Sequence, residues 1–162
     1  MKERKEQMKK LDISIKKERQ TSVEQVCDKI VHVIVLQHLG YFTAYVGVKT
    51  NRFLTDVALE DVEVHGGITY NQLQIGDGYP TNNAKYDGWQ FIGFDCNHLG
   101  DKPSSELVEE FYDEELADRV RKLEALSIYE DTTFKDANFV KAELVNLAKQ
   151  VKKVAEGGEY AS

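Results

Sequence analysis

The sequence predicts an α+β protein, in which an antiparallel sheet of about four strands packs on two C-terminal helices, with a charged helix at the N-terminus. Two observations predict this class. Short β-branched or alternating segments occupy the first two thirds of the chain, whereas apolar helical periodicity is confined to the last third. Strands that precede helices in this way are typical of α+β domains with antiparallel pairing. The 162 residues suffice for one core, which we place in a domain spanning 23–158, after a charged helical segment spanning 1–22.

Four segments carry strand signals. The first is short and β-branched, the second alternates after a His-Leu-Gly turn, and together they predict a hairpin. The third is interrupted by two glycines, and the fourth follows a loop rich in Gly, Asn, Asp and Pro. The four predicted strands are residues 29–36, 41–48, 61–70 and 89–96.

Two helices are predicted after the strands. The first, within residues 102–126, begins with a proline, two serines and an acidic turn, which is the usual start of a helix. The second has an apolar residue every three or four positions, so that one face is apolar. Thr133 with Asp136 resembles a capping box at its start, and Gly157 is expected to end it. The apolar face consists of Ala137, Val140, Leu144, Leu147, Val151 and Val154.

Charge and composition exclude several classes of partner. The net charge is −7, and residues 101–131 contain eleven acidic and four basic residues. Duplex nucleic acid requires an extended positive surface, so we do not expect it as a partner. No apolar run is long enough to span a bilayer and no apolar signal segment opens the chain, so no membrane partner is expected either. Two cysteines are too few for a disulfide framework and indicate a reducing cytoplasm.

Alternation divides the predicted sheet into two unlike faces. One face is aliphatic and requires cover by the C-terminal helices. The other carries Tyr41, Tyr45, Trp89 and Phe91, which form a larger apolar patch than a monomer normally exposes. Either the N-terminal segment or a second subunit covers these rings, or the rings line a pocket. A register error of one residue would exchange the two faces.

Three kinds of side chain around the aromatic face suit a small phosphorylated ligand. Rings stack on bases, whereas Lys, Arg and glycine backbone amides bind phosphates. Carboxylates and imidazoles bind hydroxyl groups and base edges. We expect no cofactor and no catalytic residue in such a site. The candidate ligand-binding residues are Tyr41, Tyr45, Lys49, Arg52, His65, Gly66, Gly67, Thr69, Trp89, Asp95, His98 and Asp101.

The same residues allow other interpretations. Gly66–Gly67 equally suits a β-bulge. Cys96 and His98, with His65 and an aspartate, could bind a metal ion or form an activated thiol. Against this, the paired Cys-x-x-Cys or His-x-x-x-His spacing of structural zinc sites is missing. Cys96 also falls on the aliphatic face, where cysteine is usually a small core residue.

The strings GYFTAYVGV, VHGGITY, GWQFIGFDCNHLGD and TFKDANFVKAELVNLAKQV closely resemble a widespread group of small tailed-phage proteins. The resemblance covers roughly residues 40–154, and the chain departs from the pattern in its long charged N-terminus and in WQFIGF. It implies a phage origin and a location in the host cytoplasm, and it transfers no catalytic residues.

From this resemblance and the residue types we expect a homo-oligomeric counter-defence protein. It would sequester a small phosphorylated ligand such as a cyclic oligonucleotide immune signal. The alternatives are a Cys/His or metal-dependent hydrolase or transferase, and an inhibitor that binds a host factor through its acidic helical region.

Overall fold

The computed structural model describes residues 20–98, 100–126 and 132–160. These residues form a five-stranded antiparallel sheet and three α-helices, which confirms the α+β class. The strands are β1 (Gln20–Cys27), β2 (Ile30–Leu36), β3 (Phe42–Val48), β4 (Tyr70–Leu73) and β5 (Gln90–Asp95). The helices are α1 (Ser105–Phe111), α2 (Glu114–Glu124) and α3 (Ala137–Tyr160), with a 3₁₀ turn at Ala84–Tyr86. Within the described ranges, no helix has both the length and the apolar character to cross a bilayer.

The sheet has the order β1-β2-β3-β5-β4. The predicted hairpin is present as β2 and β3, with Val33 opposite Tyr45. β1 was not predicted, because residues 20–27 contain only two strongly apolar side chains besides the cysteine. Residues 20–22 therefore belong to a strand and not to the helical segment expected at 1–22. The remainder of that expected helix, residues 1–19, lies outside the described residues.

The predicted third strand is wrong over residues 61–69. Gly66 and Gly67 have φ values of +69° and +82°, and the Gly67 N–H donates to the carbonyl of Val64 at 2.8 Å, so this segment turns. Pairing with β5 begins only where the Thr69 N–H reaches the Gly93 carbonyl at 2.9 Å. The resulting strand, β4, is four residues long and lies at the edge of the sheet.

The first of the two predicted helices is divided into α1 and α2. The division falls at Asp113, whose carboxylate accepts the Leu116 N–H at 2.8 Å and thereby caps the start of α2. α3 agrees with the predicted stripe, since five of its six positions are at most 2% exposed and Val154 packs against the same core. Its cap is Asp136, which accepts the Phe139 N–H at 2.9 Å, and the helix continues past Gly157.

The main core lies between the aliphatic face of the sheet and α3, one of the two predicted covering helices, whereas the buried residues of α2 belong to a separate cluster. Phe42, Ile92 and Phe94 are at most 1% exposed, and they belong to one cluster with Leu144 and Leu147 of α3. Burial of each large side chain of this kind stabilises the fold by about 1.5–3 kcal/mol. This packing places α3 across β2 and β3 and brings its first turns near the 65–67 turn.

The aromatic face is covered by the chain's own connection between β4 and β5. Tyr79 and Tyr86 from this connection pack against the cluster that contains Tyr45, Trp89 and Phe91. The connection is held by buried Gln74, whose amide nitrogen donates to the carbonyls of Gly76 and Asn83 and whose carbonyl oxygen accepts from Thr81. The cover is therefore the 74–89 loop, which the sequence did not indicate as the covering element.

Candidate functional site

Asp101 is the centre of a polar cluster that joins three separate segments of the chain. Its carboxylate, 1% exposed, accepts from His65 Nε2 at 2.8 and 3.0 Å and from the His98 backbone N–H at 3.0 Å. Lys135 Nζ lies 3.4 Å from the same carboxylate. We call His65, Gly66, Asp95, His98 and Asp101 the histidine cluster. All five were predicted site residues, and the structure brings them together.

His65 is held from several directions. Its backbone N–H donates to Glu143 Oε1 on α3 at 2.8 Å, and Phe139 packs edge-on against its ring at a centroid distance of 5.1 Å. Its Nε2 points to Asp101, and a fifth of its side chain is exposed.

His98 packs directly over Gly66. A methyl group at Gly66 would overlap the His98 ring, so the close approach requires glycine as well as the positive φ. His98 Nε2 lies 3.0 Å from Asp95 Oδ1, an ion-pair distance, although its direction is not that of a hydrogen bond. The His65 and His98 ring centroids are 6.0 Å apart.

A cleft of about 460 Å³ opens beside the paired glycines. Its walls include the predicted residues Gly67 and Thr69, together with the carboxylates of Asp56 and Glu60. A side chain at Gly67 would meet no atom within 4 Å, so the glycine faces open space. Among the described residues the lining has two carboxylates and no basic side chain, so the cleft suits hydroxyl and amino groups better than phosphate.

Cys96 is unsuited to act as a nucleophile. It is 3% exposed in the core, and burial, with Asp101 and Asp95 nearby, raises the pKa of its thiol well above the ordinary range. Within the described ranges, no three His, Cys, Asp or Glu side chains are placed to hold a metal ion. The histidine cluster thus consists of imidazoles and carboxylates without a reactive thiolate.

The predicted stacking residues have no free ring face. Tyr45 and Trp89 are 4% and 7% exposed, because Tyr79 and Tyr86 pack edge-on against them at centroid distances of 5.4 and 5.0 Å. Burial also raises the pKa of the Tyr45 hydroxyl, which forms a hydrogen bond with the Tyr79 hydroxyl. Tyr41 lies at the border of this face and is partly buried. The aromatic lining expected for a ligand is therefore occupied by the protein itself.

A larger groove, of about 880 Å³, lies at the opposite ends of β2 and β3 from the Gln37–Tyr41 turn. Its lining contains Lys49, which was predicted as a site residue. Lys29 from the β1–β2 turn and Lys152 from α3 also line it, and neither was predicted from the sequence. We call this the lysine groove. The predicted Arg52 is exposed on the adjoining loop but is not part of the groove lining.

The backbone brings two of these lysines together, because the Lys49 N–H donates to the Lys29 carbonyl at 3.0 Å. Ile30, Val48 and Ala155 are the aliphatic residues of the lining, and Asp28 and Glu156 also line the groove. Among the described residues, none forms an ion pair with Lys29, Lys49 or Lys152. The three ammonium groups outnumber the two carboxylates in the groove lining, so the groove can bind an anion.

Comparisons with protein-family models, curated proteins and solved structures find no match to this chain.

Proposed function

We propose that the protein binds a small phosphorylated ligand in the lysine groove and holds it without converting it. The observation that carries this proposal is the convergence of Lys29, Lys49 and Lys152, from three separate elements, around one groove of about 880 Å³. The three lysines outnumber the two acidic residues of the same lining, so the groove has a local excess of positive charge on a chain whose net charge is −7.

The size and lining of the groove agree with such a ligand. Pockets for small molecules usually have volumes of about 300–1,000 Å³, with a largely apolar lining and a few polar groups. Here the lysine ammonium groups would bind phosphate oxygens, and the aliphatic side chains of Ile30, Val48 and Ala155 would contact the less polar part of the ligand. None of the described residues that line the groove has an aromatic ring, so base stacking is not part of the proposal.

The resemblance to small tailed-phage proteins suggests a biological form of this activity. In that form the protein acts in the host cytoplasm as a counter-defence factor, and the ligand is a cyclic oligonucleotide immune signal. A homo-oligomer would present several grooves and increase the capacity for capture. These parts of the proposal depend on the resemblance, whereas anion binding depends on the groove.

A capture experiment tests the proposal. The protein is incubated with a panel of cyclic di- and trinucleotides, separated from free ligand, denatured by heat, and the released material is analysed by mass spectrometry. We expect one or more ligands to be captured and returned unaltered. Captured ligand that returns as a cleaved product would contradict binding without conversion, and no capture of any phosphorylated compound would contradict binding itself.

Charge-reversal variants locate the site. Lys49→Glu with Lys152→Glu should weaken binding at least tenfold, since each charged contact at an exposed position contributes about 1 kcal/mol and reversal adds repulsion. The matched control is Lys85→Glu with Lys122→Glu, which changes the net charge equally on exposed residues outside the groove. The control should bind as the wild type does, and binding should weaken with added salt.

A further inference from the structure

β4 is a free edge of the sheet. It is last in the strand order and, among the described residues, pairs only with β5. The Gln74 N–H donates to the Trp89 carbonyl at 2.9 Å and continues the register of this pair, so antiparallel alternation directs the backbone groups of Asn71 and Leu73 away from β5. Exposed edges are usually protected by lysine, proline or a covering segment, and β4 contains neither lysine nor proline. β4 can therefore accept a further strand.

Apolar side chains are exposed beside this edge. Asn71 Nδ2 donates to the carbonyl of Leu54 at 3.1 Å and to Asp56 Oδ1 at 2.9 Å, so the segment 53–57 lies against β4. Among the described residues, eight large hydrophobic side chains are exposed, and half of them lie in this segment or at the end of β4. They are Phe53, Val57, Leu73 and Ile75, of which Val57 and Ile75 are 73% and 84% exposed. Such a grouping is typical of a surface that binds a partner.

The same edge is acidic. The cleft of about 460 Å³ is lined by the first residues of the edge and by Asp56 and Glu60. Residues 53–84 contain five acidic residues and no lysine or arginine. A partner for this surface should therefore combine apolar side chains at alternate positions of an extended chain with lysine or arginine.

One segment of this chain has that composition. Residues 11–17 read LDISIKK, in which three apolar residues alternate with polar residues and two lysines follow. In a strand Leu11, Ile13 and Ile15 share one face, whereas in the helix expected over residues 1–22 Ile13 would lie opposite the other two. The alternation favours a strand for this part of the chain.

We propose that residues 11–17 of one copy bind as an added strand along β4 of a second copy. Main-chain hydrogen bonds to the free edge provide affinity, and alternate side chains contact the exposed apolar residues beside it. The two lysines lie near the carboxylates of the cleft. Charge favours this pairing, because residues 1–19 contain eight basic and four acidic residues, a balance of +4, against the five acidic residues of 53–84.

The donor is a second copy because the chain's own segment is too short to reach. β1 begins at Gln20, and a strand added to β4 lies five interstrand spacings from β1, roughly 24 Å along the sheet. The five residue steps from Ile15 to Gln20 span at most about 18 Å when fully extended. The direct route is also occupied, by α3 on one face of the sheet and by the 74–89 loop on the other.

The acidic helices α1 and α2 suit this segment less well. Arg121 lies 2.8 Å from Glu109 and Arg119 lies 3.3 Å from Glu115, so bases of α2 already face some of these carboxylates. A helix also offers no backbone edge to an added strand. The β4 surface combines an edge, apolar side chains and carboxylates, and it shares no residue with the lysine groove.

Proline substitutions test the donor segment. The full chain is analysed by size-exclusion chromatography with light scattering, and we expect a mass of at least two chains. Ile13→Pro with Ser14→Pro should weaken assembly roughly tenfold or more, because neighbouring N–H groups of a strand point to opposite sides and one of the two must be a lost donor. Gln7→Pro with Met8→Pro is the matched control. It lies outside the alternation but inside the helix expected over residues 1–22, so a bound helix would be disrupted by both pairs, whereas a bound strand is disrupted by the first pair alone.

Cross-linking of the unaltered chain locates the contact without any variant. Equal amounts of ¹⁴N and ¹⁵N protein are mixed in urea, refolded together and treated with a carbodiimide, which joins a lysine to a carboxylate in contact with it. We expect mixed-isotope peptides that join Lys16 or Lys17 to Asp56 or Glu60. The Lys49→Glu, Lys152→Glu variant should assemble as the wild type does, so loss of ligand binding and loss of assembly are distinguishable. A single-chain mass, equal assembly of the two proline variants, or cross-links confined to one isotope or to α1 and α2, would overturn the proposal.

Discussion

Replacement of Asp101 by asparagine tests the polar cluster most sharply. Asparagine keeps the shape and one acceptor oxygen, but it removes the charge that His65 and Lys135 face and places an N–H₂ group against one of the donors. A hydrogen bond to a charged group contributes about 1.5–3 kcal/mol. The contacts of His65 and Lys135 are discounted because both side chains are about one fifth exposed. We therefore expect a loss of about 3 kcal/mol.

For a chain of this length the loss corresponds to a decrease in Tm of roughly 6–12 °C. The measurement is equilibrium unfolding in urea with thermal melting as a second probe, and both require a single cooperative transition. Asp61→Asn is the control, because Asp61 is exposed and forms no hydrogen bond or ion pair with the described residues. An Asp101→Asn protein as stable as this control would refute the reasoning, since it would mean that the buried carboxylate does not hold the cluster.

Three other predictions concern single residues. Gly66→Ala should destabilise the protein by about 1–3 kcal/mol, and by more than Gly67→Ala does. Both glycines have positive φ, but only at Gly66 would a methyl group overlap a ring, that of His98. Urea unfolding of the two variants measures the difference. Burial lowers the pKa of His32 from its usual 6.5, so the unfolded chain binds more protons below that pH. Stability should fall as pH drops below about 6.5, and less steeply in His32→Gln, as melting at several pH values would show. A thiol reagent should modify exposed Cys27 rapidly and buried Cys96 only on unfolding, and equal rates would contradict the buried thiol.

Local patterns in the sequence were sufficient for much of the fold. β2, β3 and β5 have β-branched or alternating residues, and α3 has an unbroken apolar stripe, so the period of the side chains identified each element. The aliphatic face was assigned correctly for the same reason. The turn at Gly66–Gly67 was not predicted, because the residues before it alternate as they do in a strand. The two positive φ values at these glycines redirect the chain.

The candidate site was predicted only in part, and the physical reason differs between its two halves. His65, Asp95, His98 and Asp101 lie in two short strings that neighbouring elements bring together, so their proximity could be anticipated. Lys152 reaches Lys49 only through the packing of α3 on the sheet, and no local spacing indicates that packing. Lys29 lies beside Lys49 because β2 and β3 pair as the predicted hairpin. Likewise, the composition of residues 74–89 indicated a loop, but not that it folds over the aromatic face.

The central claim is that an anion binds in the lysine groove, and a ¹H–¹⁵N titration of the labelled protein with a cyclic dinucleotide tests it most directly. The account predicts saturable shifts of the backbone amides of 28–30, 49–51 and 152–156, and loss of these shifts in the Lys49→Glu, Lys152→Glu variant. Shifts confined to residues outside the groove, or an unchanged spectrum at millimolar ligand, would contradict it.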